Sequence, residues 1–231
     1  MRKTLAIIPA RGGSKRIPRK NIKSFLGKPI IVYSIQTALK AKIFDEVIVS
    51  TDNEEIANIS KRSGAAVPFL RSKQNSDDNA TLTDIIGEVL TKYKKVGTSF
   101  DFFCCILPTA PFITSQQLIE GYSLVEKNTI DAVIPVTRFN YPIHRALIIE
   151  KNRLKMLWPK YMQTNSQKLP QTFHDSGQFY WIKTESFLKQ KKIFMKNVLP
   201  IVIPESETHD IDTENDWKTA ELKYKILCSI V

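Results

Sequence analysis

Two stretches of this sequence carry residue types that could do chemistry. The first is Ile8-Pro9-Ala10-Arg11-Gly12-Gly13-Ser14-Lys15-Arg16, continuing through Arg19, Lys20 and Asn21. Adjacent glycines let backbone N–H groups approach an anion with no Cβ in the way, and the lysines and arginines add full positive charge. Such a loop, following an apolar strand, is suited to holding a polyphosphate. Its spacing fits neither the Gly-x-x-x-x-Gly-Lys-Ser/Thr loop nor the Gly-x-Gly-x-x-Gly fingerprint. A solvated basic surface loop is the plain alternative. The second stretch is His209-Asp210-Ile211-Asp212. In extended backbone Asp210 and Asp212 project to one side and Ile211 to the other. Two carboxylate ligands so placed suit Mg²⁺, which also takes phosphate oxygens. A helix N-cap with a second acid beside it is the competing reading. No nucleophile–base pair stands out, so the chemistry on view is charge neutralisation and positioning for displacement at phosphorus.

The elements that must position these residues follow from periodicity. Leu5 to Ile8 reads as a buried strand, and further strands are predicted at 47–50, 66–70, 102–107 and 132–136. Between them lie helical patterns. One has Ile31, Ile35, Ala38 and Leu39 on its face, another runs over 54–63, and a third carries Leu82, Ile85, Ile86, Val89, Leu90 and Tyr93. A fourth begins at Thr114. Thr51-Asp52-Asn53 is a cap signal for the second helix, and Asn79 or Thr81 for the third. Alternating strands and helices predict an α/β fold, a Rossmann-like parallel sheet covered on both faces, with ligands outside the carboxyl ends of its strands. Further strands are expected at 179–182 and 198–203. Asp212 or Thr213 then caps a last helix with Trp217, Ala220, Tyr224 and Leu227 on its face.

The pattern breaks over 139–168, where aromatics, prolines and a turn at Lys151-Asn152 suggest a small β-rich excursion. Its apolar groups call for a partner surface, and a homodimer contact is the expectation. The 231 residues, 42% hydrophobic, suit one domain, 1–231, carrying that insertion. The net charge of +11 asks for an anionic partner. The basic residues are scattered and lack interleaved aromatics, so no nucleic-acid surface is expected. No apolar run reaches the length of a membrane span. Three cysteines and an N-terminus leading directly into a strand give the expectation of a cytoplasmic protein.

The motifs resemble those of the cytidylyltransferases that activate nine-carbon keto sugar acids. The opening loop with Lys20-Asn21 looks like that family's signature. Ser50-Thr51-Asp52, Leu70-Arg71, Leu107-Pro108-Thr109-Ala110-Pro111 and Ile211-Asp212-Thr213-Glu214 fall in the family's order. The resemblance covers essentially the whole chain. It implies a mixed Rossmann-like sheet with a dimerisation arm, and a reaction of CTP with a nonulosonic acid giving CMP-sugar and pyrophosphate. It assigns Ala10, Arg11, Gly12, Gly13, Ser14, Lys15, Lys20 and Asn21 to the triphosphate, with Arg11, Lys15 and Lys20 as the catalytic cations. Arg71, Asn79, Ala80 and Thr81 would hold the cytidine. Asp210 and Asp212 would bind Mg²⁺. Leu107, Thr109, His174, Asp175 and Gln178 would meet the sugar.

Leu107 stands where synthetases for N-acetylneuraminic acid carry Gln, and His174 where they carry Arg. The run His174-Asp175-Ser176-Gly177-Gln178-Phe179-Tyr180-Trp181 resembles the pseudaminic acid branch instead. An apolar Leu107 accommodates a methyl group better than a hydroxyl. For the sugar carboxylate the candidates are Arg138, Arg145 and Arg153. Two other readings remain: a nucleotidyltransferase for another keto sugar acid or for a sugar 1-phosphate, and, from a different class, a basic nucleic-acid-binding protein.

Overall fold

The computed structural model describes residues 2–127 and 129–230. Its elements in chain order are β1 (Thr4–Pro9), β2 (Ser24–Phe25), β3 (Lys28–Pro29), α1 (Ile30–Ala41), β4 (Glu46–Ser50), α2 (Glu54–Arg62), α3 (Leu82–Lys95), β5 (Phe102–Ile106), α4 (Ser115–Lys127), β6 (Ala132–Arg138), β7 (Leu147–Glu150), β8 (Arg153–Met156), β9 (Phe173–Asp175), β10 (Phe179–Lys183), α5 (Thr184–Gln190), β11 (Val198–Val202) and α6 (Glu214–Ile230). The main sheet runs β11-β6-β10-β5-β1-β4, with β9 also paired to β6. β1 is parallel to β4 and β5, and β11 is parallel to β6. β10 lies antiparallel between β5 and β6, so the sheet is mixed.

Every residue of β1 is buried because both faces of the sheet are covered. Ala6 and Ile8 face one cluster with Ile31 and Ile35 of α1, Leu118 of α4 and Trp181 of β10. Leu5 and Ile7 face the other, with Ile86 and Val89 of α3 and Phe187 of α5. Cys104 and Cys105 point one to each face and are core residues. Gly121 is where α4 meets β10 most closely: a Cβ there would come within 2.5 Å of Trp181 Cδ1.

The strand expected at 66–70 does not form. Only Ala66 joins the sheet, as an isolated bridge to Ile48. Pro68 has no N–H to continue the ladder, and the chain peels away toward an exposed Leu70. The turn near Gly27 closes a tight hairpin, β2–β3, with Leu26 and Gly27 both at positive φ. Caps appear where expected: Asn53 Oδ1 accepts from Ile56 N, and Thr81 forms a capping box with Asp84.

A third apolar cluster lies off the sheet. Ile17 of the opening loop, Phe25 of β2, Ile30 and Tyr33 of α1, Phe112, Ile211 and Trp217 of α6 pack together. Phe25 meets the Trp217 ring edge-on at 5.6 Å. The cluster joins a segment near residue 17 to one near residue 211. The excursion over 139–168 is the β7–β8 hairpin with short helical turns, and Lys151 and Asn152 both have positive φ at its tip.

Candidate active site

A cleft of about 300 Å³ opens at the carboxyl ends of β1, β4 and β5. The opening loop forms one wall through Arg11, Ser14, Lys15, Arg16 and Lys20. Arg71, Asn75, Asp77, Asp78 and Ala80 form the opposite wall, Leu82 and Ile85 of α3 an apolar flank, and Pro108 and Thr109 the floor beyond β5.

The loop's shape is set by polar contacts from beneath. Asn21 is buried, and its Nδ2 donates to the Arg11 carbonyl at 2.9 Å. The Gly12 N–H donates to Asp52 Oδ1 at 2.9 Å. A Cβ on Gly12 would crowd the Asn53 side chain at 3.0 Å, so glycine lets the loop lie close against the start of α2. This differs from the sequence expectation, in which the glycines free amides for an anion: the Gly12 amide is already spoken for by Asp52. Gly13 is exposed with open space around it. Ala10 is buried and its N–H pairs with the Ser50 carbonyl, extending β1 by one residue.

The loop's cations divide between two carboxylates. Arg11 reaches Asp78 at 3.0 Å, and Lys15 pairs with the same carboxylate. Arg16 meets Asp212 at 2.6 Å, and Lys20 Nζ lies 3.6 Å from it while donating to the Ile211 carbonyl at 2.6 Å. Arg19 is turned outward to Glu55. Asp212 therefore meets two cations of the cleft wall, although it is nearly two hundred residues away from them in sequence. Its carboxylate is not the helix cap. Thr213 is, in a reciprocal box with Asp216, whose carboxylate also accepts from the Asp212 N–H. Ile211 is buried in the third cluster, and Asp210 and Asp212 face outward from it, as the alternation requires. Among the described residues no group of three or more His, Cys, Asp or Glu gathers around them. Two carboxylates fit an ion that completes its shell with water and phosphate oxygens, as Mg²⁺ does. His209 does not orient Asp210: its Nε2 is buried without a hydrogen-bond partner, and burial lowers its pKa.

Arg71 is buried, with Nε donating to Ser50 Oγ at 3.2 Å and the guanidinium also bonding the Ser50 carbonyl. Burial lowers its pKa, and the charge of Asp52 opposes that. The loop after it is fastened to α3 by Glu88, which accepts from Ser72 N, Ser72 Oγ and Asn75 Nδ2 and pairs with Lys92. Burial works against the Glu88 carboxylate, yet these bonds hold its pKa at about 2. Ala80 lines the cleft, whereas Asn79 and Thr81 serve the turn and cap of α3, with the Asn79 and Ala80 N–H groups bonded to Asp77 Oδ1.

Of the residues expected to meet a sugar, Thr109 lines the cleft and Leu107 is half-buried beside it. His174, Asp175 and Gln178 are not in its lining; they bond within the protein, except that Gln178 Oε1 is buried without a hydrogen-bond partner. His174 Nδ1 lies 2.9 Å from the Asp175 carbonyl, and its ring packs on Phe139. Asp175 accepts from Tyr180 Oη at 2.6 Å and from Gly177 N. Gln178 donates to the Glu207 carbonyl, and its own carbonyl receives the Leu107 N–H. These contacts arise where β9 and β10 fold onto β6, a pairing that no local pattern announces. Arg138, Arg145 and Arg153 also stand away from the cleft, and Arg145 is bonded to the Thr164 carbonyl within the excursion. Asp78 and Asn75 are the cleft residues that sequence reasoning missed. The only signal for Asp78 was an acidic pair in a chain with a basic opening loop.

The cytidylyltransferase family model matches residues 5–219, nearly the whole chain. The chain belongs to the cytidylyltransferase family. It is 40% identical over 225 residues to a pseudaminic acid cytidylyltransferase of Campylobacter jejuni, covering 97% of each chain. It is 28% identical to a CMP-N,N'-diacetyllegionaminic acid synthase of Legionella pneumophila, covering 94% of each. In fold it matches a CMP:2-keto-3-deoxy-manno-octonic acid synthetase solved with CTP, at a TM-score of 0.73 and 16% identity, over 99% of this chain and 100% of that one. This cytidylyltransferase is thus a nucleotidyltransferase built on the mixed sheet expected of it.

In this enzyme Asn21→Ala removes a buried donor to the backbone of the opening loop. We expect a stability loss of about 1 kcal/mol in urea unfolding and a several-fold weaker nucleotide affinity by calorimetry. Unchanged affinity would mean that Asn21 does not shape the loop.

Proposed function

We propose that the protein transfers CMP from CTP to the anomeric hydroxyl of pseudaminic acid, releasing pyrophosphate. The observation that carries this reading is the gathering of Arg11, Lys15 and Lys20 in one cleft, with Asp212 beside Lys20 at its wall, in a chain 40% identical to a pseudaminic acid cytidylyltransferase. The anomeric oxygen forms a bond to the α-phosphorus, and the bond from that phosphorus to the bridging oxygen of pyrophosphate breaks. The hydroxyl proton leaves to solvent, and the electron pair departs with pyrophosphate. Arg11 and Lys15 neutralise the outer phosphates, and Lys20 serves the inner end of the chain. Buried Arg71, held against Ser50, and Ala80 border the space for the nucleoside, with Leu82 and Ile85 offering an apolar surface to the base. Asp210 and Asp212 would hold Mg²⁺, which supplies charge neutralisation at the phosphates when bound. Leu107 and Thr109 face the acceptor. Asp175 and Gln178 shape that end of the site by fixing β9 and β10, and Gln178 Oε1 is left without a partner there. An apolar Leu107 favours a deoxy sugar with a methyl group.

The working form in this reading is a cytoplasmic homodimer. The β7–β8 hairpin exposes Leu147, Ile149 and Leu154, with Ile149 75% exposed. A lone two-stranded hairpin is marginally stable in water, and a second copy would cover that face.

Pyrophosphate release across a panel of nucleotides and acceptors tests the reaction. CTP with pseudaminic acid should be fastest, and activity only with a sugar 1-phosphate would reject the proposal. Asp212→Ala should lose about 100-fold or more in turnover and raise the Mg²⁺ demand without lowering the melting temperature. Full activity in both Asp210→Ala and Asp212→Ala would remove the metal assignment. Sedimentation should give a dimer that Ile149→Glu with Leu154→Glu converts to monomer; a wild-type monomer would contradict the arm's role.

A further inference from the structure

The wall opposite the phosphate loop carries an anion of its own. The Asp78 carboxylate pairs with both Arg11 and Lys15, and the Asp77 carbonyl accepts from the Arg11 guanidinium at 3.3 Å. The hydrogen bond from Lys15, followed by the charges of Lys15 and Arg11, holds the Asp78 pKa below the ordinary carboxylate range, so the group is ionised at neutral pH. Two cations converging on one carboxylate is the arrangement that a pair of phosphate groups would meet.

The segment is anchored on both sides of this contact. Before it, Ser72 and Asn75 are tied to Glu88 of α3. After it, Asp77 Oδ1 accepts from the Asn79 and Ala80 N–H groups, and Thr81 is locked in the α3 capping box. Asp78 is thus the crest of a short arch whose ends are fixed. The ion pairs at the crest are partly exposed, and pairs of that kind are individually weak. They form in the free protein and can be displaced.

We propose that Asp78 is a built-in competitor for the phosphate site, occupying Arg11 and Lys15 until a ligand with two or more linked phosphates replaces it. The inference rests on the assignment of Arg11 and Lys15 to the triphosphate. CTP and pyrophosphate carry enough charge to take both cations. CMP, with one phosphate, does not reach them and gains nothing from displacing the carboxylate. Asp78 therefore sets the preference between nucleotides of different phosphate number, and it returns to the cations as pyrophosphate leaves.

The test is calorimetric titration of wild-type, Asp78→Asn and Asp78→Ala protein with CTP, CMP and inorganic pyrophosphate, with melting temperatures recorded alongside. Both variants should bind CTP and pyrophosphate roughly three- to tenfold more tightly, leave CMP unchanged within twofold, and melt within a few degrees of wild type. Weaker or unchanged CTP and pyrophosphate binding in both variants overturns the proposal, as does an equal gain for CMP. If no form binds CTP but pyrophosphate binding still tightens in the variants, the competitor stands and the cytidylyl-transfer reading falls.

Discussion

Everything at the cleft depends on one apolar cluster at its edge. Ile17 and Ile211 are both almost fully buried in the cluster with Phe25 and Trp217. Burying an isoleucine side chain is worth about 2 kcal/mol, whereas a partly exposed ion pair such as Arg16–Asp212 is worth at most about 1 kcal/mol. The hydrophobic pin therefore decides where the two charged segments sit, and the ion pairs follow. Strand-like alternation around Ile211 turns Asp210 and Asp212 outward, and the turn at Ile17 leaves Arg16 and Lys20 facing them. The reciprocal Thr213–Asp216 box then starts α6 and frees Asp212 from capping duty.

The same economy holds within the opening loop. Asn21 and Asp52 shape the loop from below with hydrogen bonds to its backbone, so the charged side chains are left for the cleft. Arg11 and Lys15 turn to Asp78, Arg16 and Lys20 to Asp212. A loop with this density of cations repels itself, and carboxylates on both sides let it keep one shape before an anionic ligand arrives. The site is preorganised by pairing, and ligand binding exchanges one set of anions for another.

Much of this was legible in the residues. β1 is an unbroken apolar run because both of its faces are covered, and α3 shows its buried stripe and its cap at Thr81. The outward pair Asp210 and Asp212 followed from alternation alone. What was hidden depends on contacts distant in sequence. The segment at 66–70 has the composition of a strand, but Pro68 breaks the ladder after one bridge. The antiparallel insertion of β10 between β5 and β6 is a matter of pairing, which composition does not encode. Asp175 and Gln178, which the family resemblance assigns to the sugar, make bonds that hold this pairing together. Asp78 was missed because its partners lie more than sixty residues upstream.

The central claim is that the loop cations and the Asp212 edge, brought together by the Ile17–Ile211 pin, form a single triphosphate site. A crystal structure with CTP and Mg²⁺ bound tests this most directly. The account predicts the outer phosphates on Arg11 and Lys15 and the α-phosphate beside Lys20 and the Asp210–Asp212 edge. A triphosphate bound elsewhere, or lying in the cleft with Asp210 and Asp212 facing away from it, would contradict the account.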